Sequence, residues 1–372
     1  MQIKIWGFLT VSKNQFIFIE SLFISFFLLL TIFFFSYRFP EHVTDPLILF
    51  HAKYLKYVSL VFTFLMIIET QYYLNKFIQK QLEINREQTL KIKKQKESIT
   101  SSIRYASRIQ TALLPPDDKI PKNLDHFILF LPKDIVSGDY YWISRKNHKT
   151  IFVAADCTGH GVPGAFMSAL GIAFLNEIVI PDSKNITAAN ILDKLKQKIT
   201  DAFYKGDHLT LDGMDMAVCI LNDKTAELEY AGAFNPMFVV RSLTKQTENA
   251  SENNDKIKRL RKHNYELQHF KANRIPIGVS KHNESFRNHR IQLQKDDTVY
   301  IFSDGYTDQL GGNKGKRFFT KRFKEYLLSI QKHAMHKQKE LLLENLNNWR
   351  KPENAEQFDQ LDDILIIGLR LK

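Results

Sequence analysis

Between Phe16 and Tyr37 the chain reads FIFIESLFISFFLLLTIFFFSY, with Glu20 as its one charged residue. A helix apolar on every side needs protein or lipid all around it, and about 20 such residues match the hydrocarbon thickness of a bilayer. The run is therefore expected to be a membrane anchor. A cleaved signal peptide has a shorter apolar core and a small-residue cleavage site, whereas RFPEHVTD follows here. A second, shorter run, YVSLVFTFLMII from Tyr57 to Ile68, is flanked by Tyr54, Tyr72 and Tyr73 and by Lys56 and Glu69. Aromatic and charged residues at both ends suit the two interfaces, so a membrane hairpin is expected over 1–74, with spans of about 16–37 and 54–74. Beyond it Lys76, Lys80, Arg86, Lys91, Lys93, Lys94 and Lys96 stand against only Glu83 and Glu87. That excess places the following chain on the cytoplasmic side of a cytoplasmic (inner) membrane, in a multi-pass protein.

These lysines also account for part of the net charge of +12. A juxtamembrane basic segment favours anionic lipid, so no nucleic-acid partner is needed to explain it. Cys157 and Cys219 are the two cysteines, both in apolar runs, and read as reduced thiols, since no zinc-ligand spacing is present.

Residues 75–114 are charged and lack Gly and Pro until LLPP, which predicts a helical linker. Ile78, Leu82, Ile92, Ile99, Ile103, Ala106 and Leu113 share one seam at alternating spacings of three and four, as in a coiled coil that would pair two chains. Asn85, Thr89, Lys96 and Gln110 interrupt it, so the alternative is a solvated single-helix spacer. From 115 to 372 the pattern is of a soluble domain. FILFLP, GDYYWISRK and TIFVAADCT read as strands, followed by helices over 163–180 and 188–204. DMAVCILND, ELEYAGA and PMFVVRS read as an antiparallel meander, and 243–262 as an exposed loop. Strands over 265–272 and 289–303, helices over 319–330 and 336–350, and a last strand DILIIGLRL complete the chain. Helices grouped between runs of antiparallel strands predict an α+β layered sandwich, not a Rossmann sheet.

Four acidic positions share one setting. Asp139 opens a strand, Asp156 and Asp304 each close one, and Asp362 with Asp363 opens the last. An Asp beside Gly at a strand end is often only a turn residue. Four that abut apolar core strands are harder to explain so, because clustered ionised carboxylates repel unless cations lie between them. Aspartate oxygens suit Mg²⁺ or Mn²⁺, and such ions clamp phosphoryl groups, so a phosphate-ester hydrolase is the natural proposal.

The ordered set SGDYYW, DCTGHGVPGAFMS, DGMDMAVCILN, YAGAFNPMFVVR, IPIGV, DDTVYIFSDGYTD and DDILIIGL resembles the SpoIIE-like branch of the protein phosphatase 2C (PPM) superfamily, from about Ile109 to Leu371. The resemblance implies a β-sandwich flanked by helices, two Mn²⁺ or Mg²⁺ ions, and hydrolysis of phosphoserine or phosphothreonine in a phosphorylated protein, often an anti-sigma-factor antagonist. It implies that Asp156 bridges both metals, the Cys157 carbonyl ligates one, Asp304 and Asp362 hold the other, and Asp139 binds metal or orients its water, with direct attack by a metal-bound hydroxide. Two positions depart from the pattern: Trp142 stands where many relatives have a second acid, and Phe234 where some have histidine. His160 is either a general acid or a loop histidine packed near a helix start, and Lys133 either meets phosphate or is an ordinary exposed lysine. The rival readings are an inactive, membrane-tethered binding module of the same fold and a nucleotide cyclase; the retained acids argue against the first and GHGVPGAFMS with SDGYTD against the second.

Overall fold

The structure, a computed structural model, describes residues 2–5, 9–12, 22, 25–26, 28–29, 45–116, 120–121, 123–180, 186–203, 212–243, 258–262, 264–279, 284–352 and 357–372. The chain divides into two units, Met1–Ser98 and Ile99–Lys372. The first holds a short hairpin, β1 (Gln2–Ile5) paired antiparallel with β2 (Leu9–Ser12), and most of a long helix, α1 (Pro46–Leu113). Most of the expected first span, 16–37, lies outside the described residues. The second lies within α1. Within its Lys56–Leu113 portion an 18-residue window of mean hydropathy 1.3 is long and apolar enough to cross a membrane, and none of it is buried. Leu60, Phe64, Leu65 and Ile67 are all exposed there.

The second unit begins with the last turns of α1 and continues through two antiparallel sheets. One has the strand order β3 (Leu124–Leu131), β16 (Ile364–Leu371), β13 (Thr298–Phe302), β8 (Met237–Ser242), β10 (Tyr265–Phe270), β9 (Lys258–Lys262). The other runs β12 (His289–Gln292), β7 (Glu227–Ala233), β6 (Gly213–Asn222), β5 (Lys149–Cys157), β4 (Tyr140–Lys146), with β11 (Ile277–Gly278) also pairing β6. Helices α2 (Gly161–Val179) and α3 (Ala188–Phe203) follow β5. After β13 come the single turn α4 (Gly305–Asp308), the small hairpin β14 (Leu310–Gly311) and β15 (Lys316–Arg317), and helices α5 (Phe319–Ser329) and α6 (Met335–Arg350).

Three apolar layers hold these pieces together, and the period-two alternation of the strands assigns side chains to them. Phe152 and Ala154 join Tyr230, Val239, Ile301 and Ile367 between the sheets. Ile151, Val153 and Ala155 turn the other way, onto Leu175 of α2 and Leu192 of α3. Opposite, Phe127, Phe238 and Tyr300 pack on Phe323 of α5 and Leu342 of α6. Central strands buried on both faces need unbroken apolar runs, which is why TIFVAA and ILII read as they do. The architecture is thus α/β/β/α, the layered α+β sandwich expected. Helix α2 also has the length and composition of a membrane span, yet 44% of its window is buried and it belongs to this core.

Three expectations need correction. The meander does not stay in one sheet: β6 and β7 pair, but β8 crosses to the other sheet, between β13 and β10. The single strand expected over 289–303 is two strands in different sheets, β12 on β7 and β13 on β16 and β8, separated at Asp296, whose φ of 68° no strand continues through. The exposed loop ends early, because Lys258–Lys262 pairs with β10 as an edge strand.

Candidate active site

Strand β5 leaves the sandwich at Asp156, and the next turn carries the chain into α2. A left-handed φ of 83° at Gly159 makes that turn. Five residues on, a Cβ at Gly164 would strike the Gly159 carbonyl oxygen and lie 2.8 Å from the Cα of Gly138. The glycines are therefore needed for close backbone packing, which brings the SGD segment against the start of α2.

Asp156, Asp215, Asp304 and Asp362 line one cavity of about 250 Å³, together with Cys157, Gly159 and His160 among others. Each acid arrives by a different route. Asp156 and Asp215 are register partners on β5 and β6; Asp304 sits just past β13, and Asp362 just before β16. The expected Asp156, Cys157, Asp304 and Asp362 are thus brought together. Asp139 is not on the cavity wall. It is 1% exposed, behind Asp156, and accepts a 2.5 Å hydrogen bond from the Ser303 hydroxyl, whose oxygen in turn accepts one from the Leu365 amide.

Asp362 and Asp363 divide their work. Asp363 is buried, and its two oxygens accept the amides of Lys133 and Gly138, each at 2.7 Å. It clasps the loop before Asp139 to the start of β16. Lys133 enters through its main chain, and it is not among the residues lining the cavity. His160 does line the cavity, with Nδ1 2.9 Å from the carboxylate of Asp134. Trp142, at the departure from the expected acid, is structural: its indole N–H donates to Asn176 of α2 at 3.0 Å. Phe234 stands half exposed at a φ of 54°.

The electrostatics follow from burial and crowding. Burial, and then the charges of Asp304 and Asp362, push the Asp156 carboxyl up to about 8. Burial and Asp304 push Asp215 up to about 7. Asp304 is raised by burial and then by Asp308 and Asp362, and Asp139 is raised well above the usual range by burial and then Asp156, against the Ser303 hydrogen bond. Such a cluster attracts either protons or cations.

Asp215 was missing from the sequence-based set. Its signal was there: a charge inside the otherwise apolar run MDMAVCIL, where an unpaired carboxylate is costly. What hid it was the register that sets it opposite Asp156. Among the described residues no group of three or more His, Cys, Asp or Glu side chains is arranged to hold a metal ion by itself. The donors are nonetheless all hard oxygens, and Mg²⁺-type ions take one or two carboxylates and keep several waters. The residues fit divalent cations of that class.

Gln110, in the last turn of α1, is buried against this site. Its Nε2 donates to the Ser137 carbonyl (2.6 Å) and the Ser168 hydroxyl (2.8 Å), and its Oε1 accepts the Ser137 amide (3.0 Å). Ser137 precedes Gly138 and Asp139. The seam residue that looked like a flaw in the coiled coil is the linker's grip on the catalytic unit.

Among solved structures, the SiaA-PP2C domain of Pseudomonas aeruginosa is 26% identical, with a TM-score of 0.60, over 74% of this chain and 98% of that one. The PP2C phosphatase domain with a regulatory fragment of SpoIIE from Bacillus subtilis is 16% identical, with a TM-score of 0.48, over 67% of this chain and 62% of that one. No curated protein matches the chain. The profile of the family described as stage II sporulation protein E (SpoIIE) matches residues 146–372. With the sandwich and its acid-lined cavity in place, the chain belongs to the SpoIIE family of PP2C-type phosphatases.

Proposed function

We propose that this protein is a membrane-anchored, divalent-cation-dependent protein phosphatase that hydrolyses phosphoserine or phosphothreonine, and that its substrate is a signalling protein of the anti-sigma-factor antagonist type. The observation that carries the reading is one cavity walled by Asp156, Asp215, Asp304 and Asp362, delivered by four separate strands in a fold of the phosphatase family. Asp156, Asp304 and Asp362, with the Cys157 carbonyl, would hold two Mn²⁺ or Mg²⁺ ions, and Asp215 adds a further carboxylate to the set. Bound there, such ions make a water nucleophilic at neutral pH and offset phosphoryl charge.

The chain's own residues do the rest. Asp139, held by the Ser303 hydroxyl and buried off the cavity wall, would bind a metal or orient its water from the Asp156 side. Asp363 fixes the loop carrying Asp139. His160 lines the cavity with its Nδ1 2.9 Å from the Asp134 carboxylate and would protonate the departing seryl or threonyl oxygen.

Anchoring rests on the apolar runs at 16–37 and 54–74, and cytoplasmic orientation on the lysines after them. Ile78, Leu82, Ile92 and Ile99 are exposed along α1, which supports pairing of two chains through the linker. Gln110 then connects helix pairing to the segment before Asp139, so a change in the linker would adjust the site.

The test is phosphate release by the full-length protein from p-nitrophenyl phosphate and a phosphoserine protein, with Mn²⁺ or with EDTA. Turnover is expected only with Mn²⁺, and Asp156→Asn is expected to abolish it while the thermal transition persists. Undiminished turnover by that variant would overturn the assignment of Asp156. A folded, Mn²⁺-loaded wild type without turnover would favour the inactive binding module.

A further inference from the structure

Past Asp304 the chain makes the turn α4 and then the β14–β15 hairpin, and an ion pair of 2.6 Å between Arg317 and Asp308 closes the hairpin back on that turn. The hairpin, α5 and α6 bound a second cavity of about 540 Å³, whose wall includes Lys314, Lys316, Arg322 and Trp349 and no carboxylate. The platform is firmly built. A Cβ at Gly311 or Gly312 would collide with Trp349, so the hairpin backbone lies directly on the indole. Trp349 is itself pinned: its N–H donates to the Gln309 carbonyl at 3.1 Å, and Phe318 meets it edge-on at 5.3 Å.

The three cations on this platform make no ion pair among the described residues, in contrast to Arg317 beside them. Arg322 lies 4.6 Å over the Trp349 ring, which positions its guanidinium without neutralising it. Among the described residues that line the cavity Trp349 is the one aromatic ring, and Arg322 already lies over it. Three residues before Arg322, at the first position of α5, Phe319 is 53% exposed and held at a φ of 68°. A bulky residue in the left-handed region is strained, and an exposed aromatic gains little from folding.

Unpaired cations beside an exposed aromatic recognise an anionic chain that carries an apolar residue. We propose that this cleft docks an acidic segment of the phosphoprotein whose phosphate enters the Asp156 cavity, with an apolar residue of that segment packed on Phe319. The proposal rests on the protein-phosphatase reading. Its geometric basis is that the stretch from Asp304 to Arg322 contributes to both cavities. Docking there would hold the substrate beside the site and steer its approach, in a salt-dependent way.

The test uses full-length protein and two fluorescein-labelled phosphoserine peptides, identical except that one carries a run of glutamates and the other glutamines. Anisotropy reads binding without requiring turnover. The glutamate peptide is expected to bind wild type about tenfold more tightly at low salt, a margin set by three surface ion pairs. High salt or the triple variant Lys314→Glu/Lys316→Glu/Arg322→Glu should erase that margin, the milder Lys314→Gln/Lys316→Gln should reduce it, and Phe319→Ser should weaken binding of a glutamate peptide that carries leucine. The rate on p-nitrophenyl phosphate should stay unchanged throughout. Equal binding of the two peptides by wild type, or a preference retained by the triple variant, would overturn the docking site. Selective binding without Mn²⁺-dependent phosphate release would leave the docking site standing and remove the catalytic reading. Hydrolysis of both peptides with equal KM would do the reverse.

Discussion

Asp363 shows how one carboxylate differs from its neighbour. Asp362 faces the cavity, whereas Asp363 turns inward and accepts two backbone amides at 2.7 Å. Removing it leaves the buried Gly138 amide and the half-buried Lys133 amide unpaired, so Asp363→Ala should lower stability by about 2–3 kcal/mol, read from the urea midpoint at constant slope. His269 makes a second residue-level prediction. Burial, and then Lys324, Lys271 and Lys258, hold its imidazole down to about 4, and Lys324 Nζ lies 3.0 Å from its Nδ1, so the ring is neutral. In the unfolded chain it titrates near the ordinary 6.5. Between those values the unfolded state binds the extra proton, so stability is complete above about 6.5 and falls as the pH drops toward 4. The variant His269→Gln should flatten that part of a plot of melting temperature against pH. Asp156 and Asp304 were readable as single letters at strand ends. Asp215 was not, because its importance lies in what stands across from it.

Among the elements, α1 carries the most consequence. A helix whose seam residues are exposed for most of its length ends on one buried amide, that of Gln110, which satisfies Ser137 at both its N–H and its carbonyl. Gln110→Ala is expected to cost about 1–3 kcal/mol, and a chain beginning at Asn123 should have lower kcat than one beginning at Lys76. Equal activity and equal mass by light scattering for the two chains would remove the regulatory role of the helix. Periodicity marked both helix pairs to within a few residues, because their apolar faces repeat locally, whereas α1 starts at Pro46, ahead of the expected span, and runs without a break into the expected linker. It failed at β12 and β13. A run of fifteen residues with strand character looks continuous until the turn at Asp296 sends its halves to opposite sheets. The edge strand β9 was hidden differently: KRLRK is charged because an edge exposed to water is protected by charge, so its composition matched that of a loop.

For the molecule as a whole, the apolar runs of the first unit and the layered α/β/β/α second unit predict different partitioning. Full-length protein should stay in the membrane pellet through an alkaline carbonate wash, whereas a chain beginning at Ile99 should appear in the supernatant. Recovery of the full-length chain as soluble material would remove the anchor. The sequence by itself determined that two long apolar runs precede a charged segment and a domain of mixed pattern. It also determined where most strands and helices lie, that four acids cap strands next to glycine-dependent turns, and that the set matches a phosphatase pattern. All of these are local: they depend on residue types a few positions apart. Only the tertiary structure decided that β8 leaves its hairpin neighbours for the other sheet, that Asp215 joins Asp156, that Asp363 supports the site which Asp362 lines, and that Gln110 reaches Ser137. Those are pairings between distant segments, and a single chain leaves them open until packing between two buried sheets selects one arrangement.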